Sequence, residues 1–232
     1  MKYTILGDSD CPMVHIQLNP QETIKIERGA MAYSCNVQLE GRTNSNKKGL
    51  SGLFSAVGRS LTSGESMFIT HATGTGNPAY IGVAPSAPGK ITKLSLDQDH
   101  QYRLNTGTFL ACDEQVNYRM VSQDLGKAIF SGTGGLFVME TYGQGDILIS
   151  CFGDLIPLTV TPEHPLTIDN EHVVAWDSSL QYHIEIASGT FGFVTGEGLV
   201  NVFRGSGTVW IQTRNLHSLA NSLLPFMPAS NS

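Results

Sequence analysis

The chain has 232 residues, of which 15% are charged and 25 are glycine, and its formal net charge is −6. That length and composition suit one body with an ample core, built of many short strands joined by tight turns, and exclude a long solvated helical bundle. The acidic balance argues against nucleic-acid binding, and no apolar run approaches the ~20 residues of a membrane-spanning helix.

Residues 1–10 carry one Lys and two Asp without an apolar centre, so no secretory signal is expected there. From residue 11 the pattern alternates. Val14, Ile16 and Leu18 share one face, and Ile24 and Ile26 follow the turn at Pro20, which predicts half-buried strands. The alternation then breaks. Leu50, Leu53, Phe54, Val57 and Leu61 recur at helical spacing, so an amphipathic helix is predicted over 47–61. Lys47, Lys48 and Arg59 join Arg42 in a stretch that holds no acid between Glu40 and Glu65. Two readings stay open for this insert. It contacts an anionic membrane or a partner groove through Lys47, Lys48, Leu50, Leu53, Phe54, Val57, Arg59 and Leu61, or its stripe caps one open end of the β body.

Strand patterns then recur. The turns Gly74-Thr75-Gly76, Gly143-Gln144-Gly145 and Gly205-Ser206-Gly207 each separate two apolar runs, and read as tight hairpins. A phosphate-binding loop would need a helix to follow the glycines; a strand pattern follows here. The stretch from Leu104 to Asp113 aligns without a gap on that from Ile168 to Asp177, and more weakly on that from Ile26 to Tyr33. Three copies of one β unit are therefore expected at about 11–84, 88–150 and 153–214, forming a single domain. The tail, 215–232, places Leu216, Leu219, Leu223 and Leu224 at helical spacing before Pro225 and Pro228, predicting a short closing helix packed on the β body.

Chemistry is sparse. Cys11, Cys35, Cys112 and Cys151 form no C-x-x-C and fall at inequivalent points of the three units, which reads as reduced thiols in a cytoplasmic protein. His172, His183 and Glu185 could line a pocket of a small-ligand-binding protein or a cupin-like metal-dependent enzyme. No H-x-H accompanies them, so no metal and no cofactor is assigned. Asp113 and Asp177 occupy equivalent turn positions, as do Asn105 and Asp169; at turns such residues bond their own backbone, so structure is preferred over acid–base catalysis. No nucleophile elbow occurs, and no catalytic residue is assigned.

The run Gly196-Glu197-Gly198-Leu199-Val200, followed by Gly205-Ser206-Gly207-Thr208-Val209-Trp210-Ile211-Gln212-Thr213-Arg214-Asn215, resembles the closing signature of a known family. So do Arg59 to Ser66 at the end of the insert and Gly107-Thr108-Phe109-Leu110-Ala111. The family is the bacterial one related to the yeast protein "altered inheritance of mitochondria twenty-four". The resemblance implies an all-β, triplicated β-sandwich or double-stranded β-helix body of the trp RNA-binding attenuation protein-like kind, and a homotrimer. It brings no activity and no catalytic residues. The expectation is a non-catalytic oligomeric β scaffold, cytoplasmic or peripheral to a membrane, that binds a protein partner or an anionic membrane surface.

Overall fold

The computed structural model describes residues 1–7, 10–43, 68–122, 137–186 and 199–227. The predicted insert, 47–61, lies outside them. The body is all-β, as expected. Its first third runs β1 (Lys2–Leu6), β2 (Met13–Leu18), β3 (Thr23–Glu27), β4 (Met31–Cys35), β5 (Val37–Thr43), β6 (Phe68–Gly74) and β7 (Ala79–Val83). The middle third runs β8 (Ile91–Leu96), β9 (Tyr102–Asn105), β10 (Phe109–Asp113), β11 (Val116–Ser122), β12 (Phe137–Gly143) and β13 (Gly145–Ser150). The last third runs β14 (Leu155–Val160), β15 (Leu166–Asp169), β16 (Val173–Asp177), β17 (Gln181–Ile186), β18 (Leu199–Arg204) and β19 (Gly207–Gln212), then helix α1 (Leu216–Leu223).

One pairing scheme recurs in each third. The sixth strand of the scheme lies between its first and third, giving β2-β7-β4, β8-β13-β10 and β14-β19-β16. The fifth lies between its second and fourth, giving β3-β6-β5, β9-β12-β11 and β15-β18-β17. The registers agree as well. The third strand of the scheme carries a bulge between Met31 and Tyr33, between Phe109 and Ala111, and between Val173 and Ala175. A bulge bends its strand and raises the local twist, so the same bend is imposed at the same place each time.

Two seams join the thirds. β3 pairs with β10, setting Ile26 opposite Ala111, Lys25 opposite Cys112 and Ile24 opposite Asp113. β9 pairs with β16, setting Leu104 opposite Ala175, Arg103 opposite Trp176 and Tyr102 opposite Asp177. Each seam fuses three strands of one third to three of the next, so two six-stranded sheets form, with a four-stranded sheet (β1-β2-β7-β4) at one end and a three-stranded sheet (β15-β18-β17) at the other.

Three apolar clusters lie between successive sheets. Val14, Ile16, Ile24, Ile81 and Leu148 pack between the four-stranded and first six-stranded sheets. Leu94, Leu104, Phe109, Tyr118 and Ile147 pack between the two six-stranded sheets. Trp176, Phe203, Val173, Val209 and Leu180 pack between the second and the three-stranded sheet. Trp176 is fully buried and meets Tyr182 and Phe203 edge-on, with ring centroids 4.9 and 5.5 Å away. Losing a side chain of that size from such a site costs about 3–5 kcal/mol.

Two sequence expectations are corrected. The Gly-x-Gly turns are not hairpins. β6, β12 and β18 are not bonded to β7, β13 and β19; each glycine turn carries the chain from one sheet to the facing one. The first corner is held by backbone bonds, with the Thr75 N–H donating to the Asn36 carbonyl at 2.8 Å, and the second and third each use a side-chain acceptor. Gly143 and Gly145 sit at φ +109° and +129°, and the Asp113 carboxylate fills the space that a Cβ on Gly145 would need. Asp113 Oδ2 accepts from the Asp146 N–H at 2.7 Å, and Asp177 Oδ2 accepts from the Thr208 N–H at 2.7 Å. Helix α1 also departs from expectation. It forms, capped by Asn215, but buries none of its residues. Leu216, Leu219, Leu223, Leu224, Phe226 and Met227 remain exposed among the described residues.

Candidate functional site

A cleft of about 270 Å³ opens where the middle and last thirds meet. Its walls come from the end of β9 (Asn105) and the following turn to Thr108, from Ser150 to Phe152 at the end of β13, from Asn170 and Glu171 of a 3-10 turn (Asn170–His172), and from Gln212 and Leu216. The turn Asn170–His172 exists because Asp169 caps it, accepting the Glu171 N–H at 2.8 Å.

The polar groups around the cleft are spent on the backbone. Asn105 Nδ2 donates to the carbonyls of Val173 (2.7 Å) and Asn170 (3.2 Å), tying the two thirds together. Gln212 Nε2 donates to the Glu171 carbonyl at 2.8 Å, and its Oε1 accepts from the Phe152 N–H at 2.9 Å. His172 Nδ1 lies 2.7 Å from the Gln212 carbonyl, which can only accept, so Nδ1 carries the proton. The Nε2 lone pair is then the acceptor for Asn215 Nδ2 at 3.3 Å. Asn215 in turn accepts from the Ser218 N–H through Oδ1, capping α1. His172 thus bonds the end of β19 through Nδ1 and the cap residue of the C-terminal helix through Nε2.

The structure does not bring His172 together with His183 and Glu185. Those two lie on β17, the edge strand of the three-stranded sheet, each 54% exposed, with His183 Nε2 3.4 Å from Glu185 Oε1. Among the described residues no cluster of three or more His, Cys, Asp or Glu is placed to hold a metal ion. The ionisable side chains lining the cleft are Glu171, whose Oε1 is 3.6 Å from His217 Nδ1, and Cys151. Burial raises the Cys151 thiol pKa above its usual value, which keeps it protonated, and its Sγ bonds the carbonyls of Lys90 and Gly153. A neutral thiol without a base beside it is not an activated nucleophile.

Sequence reasoning missed the charged groups at the seams, of which Lys25 is buried and Arg103 half-buried. Lys25 is 8% exposed, and its Nζ donates to the Val116 carbonyl (2.7 Å) and Asn117 Oδ1 (2.9 Å). Desolvation lowers its pKa. Arg103, at the same seam position one third later, donates to Glu140 Oε2 at 2.7 Å and lies over the Tyr182 ring, 5.4 Å from its centroid. Arg119 donates to the other oxygen of Glu140. Burial alone would raise the Glu140 pKa, but the two guanidinium groups outweigh it and hold the carboxyl below its usual range. The signal was present: Ile24-Lys25-Ile26 and Tyr102-Arg103-Leu104 each place one cation between apolar neighbours.

The chain matches known proteins along nearly its whole length. A family model described as mitochondrial biogenesis AIM24 matches residues 3–214. The chain belongs to that family. An uncharacterised protein of Streptococcus pyogenes serotype M6 is 42% identical over 233 residues, covering 100% of this chain and 93% of its own. The crystal structure of a Streptococcus pyogenes protein, at 41% identity and TM-score 0.80, covers 97% of this chain and 99% of its own. Among the described residues no helix is long and apolar enough to cross a membrane.

Proposed function

We propose that this family member is a non-catalytic, oligomeric β scaffold, formed by triplication of one β unit and assembling as a homotrimer. The observation that supports the scaffold reading is the use made of its polar residues. Asp113, Asp177, Asn105 and His172, the groups that acid–base chemistry would recruit, each bond backbone atoms at a corner or seam. The recurrent strand scheme and its repeated bulge support triplication. Cys11, Cys35, Cys112 and Cys151 form no disulfide with one another, which fits a reducing cytoplasm.

The scaffold binds a protein partner or an anionic membrane surface through the cationic stretch 47–61, whose lysines and apolar stripe supply the two attractions such a contact needs. Co-sedimentation with vesicles of phosphatidylserine and phosphatidylcholine tests the membrane arm. The intact protein pellets at low salt, and a variant lacking 47–61 stays in the supernatant while keeping its oligomeric mass. Binding that survives the deletion removes this stretch as the contact.

A further inference from the structure

Each seam in the chain joins the second strand of one unit to the third strand of the next. Two such seams are made internally, β3 with β10 and β9 with β16. The scheme leaves one strand of each kind over: β15 at the edge of the three-stranded sheet, and β4 at the edge of the four-stranded sheet. They are not bonded to each other within the chain, so the chain does not close on itself. The geometry points to a second copy of this chain as the missing neighbour. β15 of one copy adds antiparallel to β4 of the next, repeating the internal seam between molecules and fusing the end sheets into one of seven strands. This rests on the oligomeric reading above and gives it an interface.

Burial supports the assignment. Met31 is 42% exposed, whereas Phe109 and Val173, at the same bulge position, are each 2% exposed. Ala32 and Ser34 are exposed as well, where Leu110, Cys112, Val174 and Trp176 are buried. β4 therefore has the position of a seam strand without the cover of one. Its sequence, Met-Ala-Tyr-Ser-Cys, has no charge and no proline, the devices that usually stop an edge strand from pairing. On β15, Thr167 is exposed where its counterpart Lys25 is buried.

The internal registers fix the external one. The counterparts of Ala111, Cys112 and Asp113 on β4 are Tyr33, Ser34 and Cys35, and those of Ile26, Lys25 and Ile24 on β15 are Ile168, Thr167 and Leu166. Ile168 therefore faces Tyr33, Thr167 faces Ser34, and Leu166 faces Cys35 of the next copy. The contact is head-to-tail, and such contacts close into a ring when the rotation per copy permits.

Disulfide trapping tests the seam in a background with Cys11 and Cys35 changed to serine. Opposed residues in an antiparallel pair have Cα atoms about 4.5–5.5 Å apart, within disulfide reach. A Ser34→Cys chain mixed with a Thr167→Cys chain gives a cross-linked pair on oxidation, and neither variant cross-links alone. Met31→Lys, a change at a surface position of the isolated chain, lowers the native mass to one chain without loss of the far-ultraviolet strand signal. Cross-linking by Ser34→Cys alone shows a symmetric edge contact and overturns the proposal. An oligomer that survives Met31→Lys without the mixed cross-link also overturns it, and leaves the oligomeric reading standing. A wild-type monomer at tens of micromolar overturns both.

Discussion

Replacing Asp177 by alanine distinguishes a structural carboxylate from a catalytic one. Its Oδ2 accepts the Thr208 N–H at 2.7 Å, immediately after a corner that no ladder bond closes. A Cβ on Gly207 would lie 2.9 Å from that oxygen, so the carboxylate and the glycine have been fitted to each other. The substitution removes a charge-assisted bond and leaves a partly buried N–H without an acceptor, which costs about 1.5–3 kcal/mol. In a domain of this size that lowers Tm by about 3–12 °C. Asp177→Asn keeps an acceptor oxygen and loses about half as much. Urea unfolding followed by tryptophan fluorescence is a suitable assay, because Trp176 adjoins the site and is fully buried. A midpoint for Asp177→Ala that implies a loss under about 0.5 kcal/mol refutes the structural role.

Further outcomes follow from the same contacts. Asp113→Ala destabilises by at least as much, since Asp113 holds the Asp146 N–H in the equivalent corner and also pairs with the Met1 ammonium at 2.7 Å; matched melts of the two variants check this. Glu140→Gln costs about 1–2 kcal/mol near pH 7, discounted because Arg119 is largely exposed. The folded Glu140 pKa is depressed, so its contribution is full above the unfolded carboxylate range and is lost as pH falls through the folded value; the wild-type and variant stability curves converge in acid. The Cys112 pKa is pushed up to about 12 by burial, so in native protein at pH 8 a thiol reagent labels exposed Cys11 quickly and leaves Cys112 untouched until denaturant is added; mass spectrometry reads the order. Leu219→Ser with Leu223→Ser leaves stability within about 0.5 kcal/mol by thermal melt, because neither side chain is buried.

The strands were legible because their faces differ. Val14, Ile16 and Leu18 alternate with His15 and Gln17, and burial follows that alternation. One recurring local pattern was legible: Leu104 to Asp113 and Ile168 to Asp177 repeat their residue types, and both stretches fold as strand, turn and bulged strand. Sheet membership was not legible. A glycine corner between two apolar runs looks the same whether the runs pair or face each other across a core, and only long-range contacts decide between them. The fate of α1 was hidden for the same reason. Leu216, Leu219 and Leu223 form an apolar stripe in either case, but no stripe states whether a surface exists to cover it. The candidate His172, His183 and Glu185 set failed on geometry. Residues close in sequence were parted by a strand pairing that sends β17 to the far edge of its sheet, while the His172 ring turns to the Gln212 carbonyl and Asn215.

Analytical ultracentrifugation of the full chain at several concentrations tests the scaffold account most directly. The account predicts a discrete species at three times the 25.0 kDa chain mass, unchanged by reductant. A single species at 25.0 kDa across the micromolar range would contradict it.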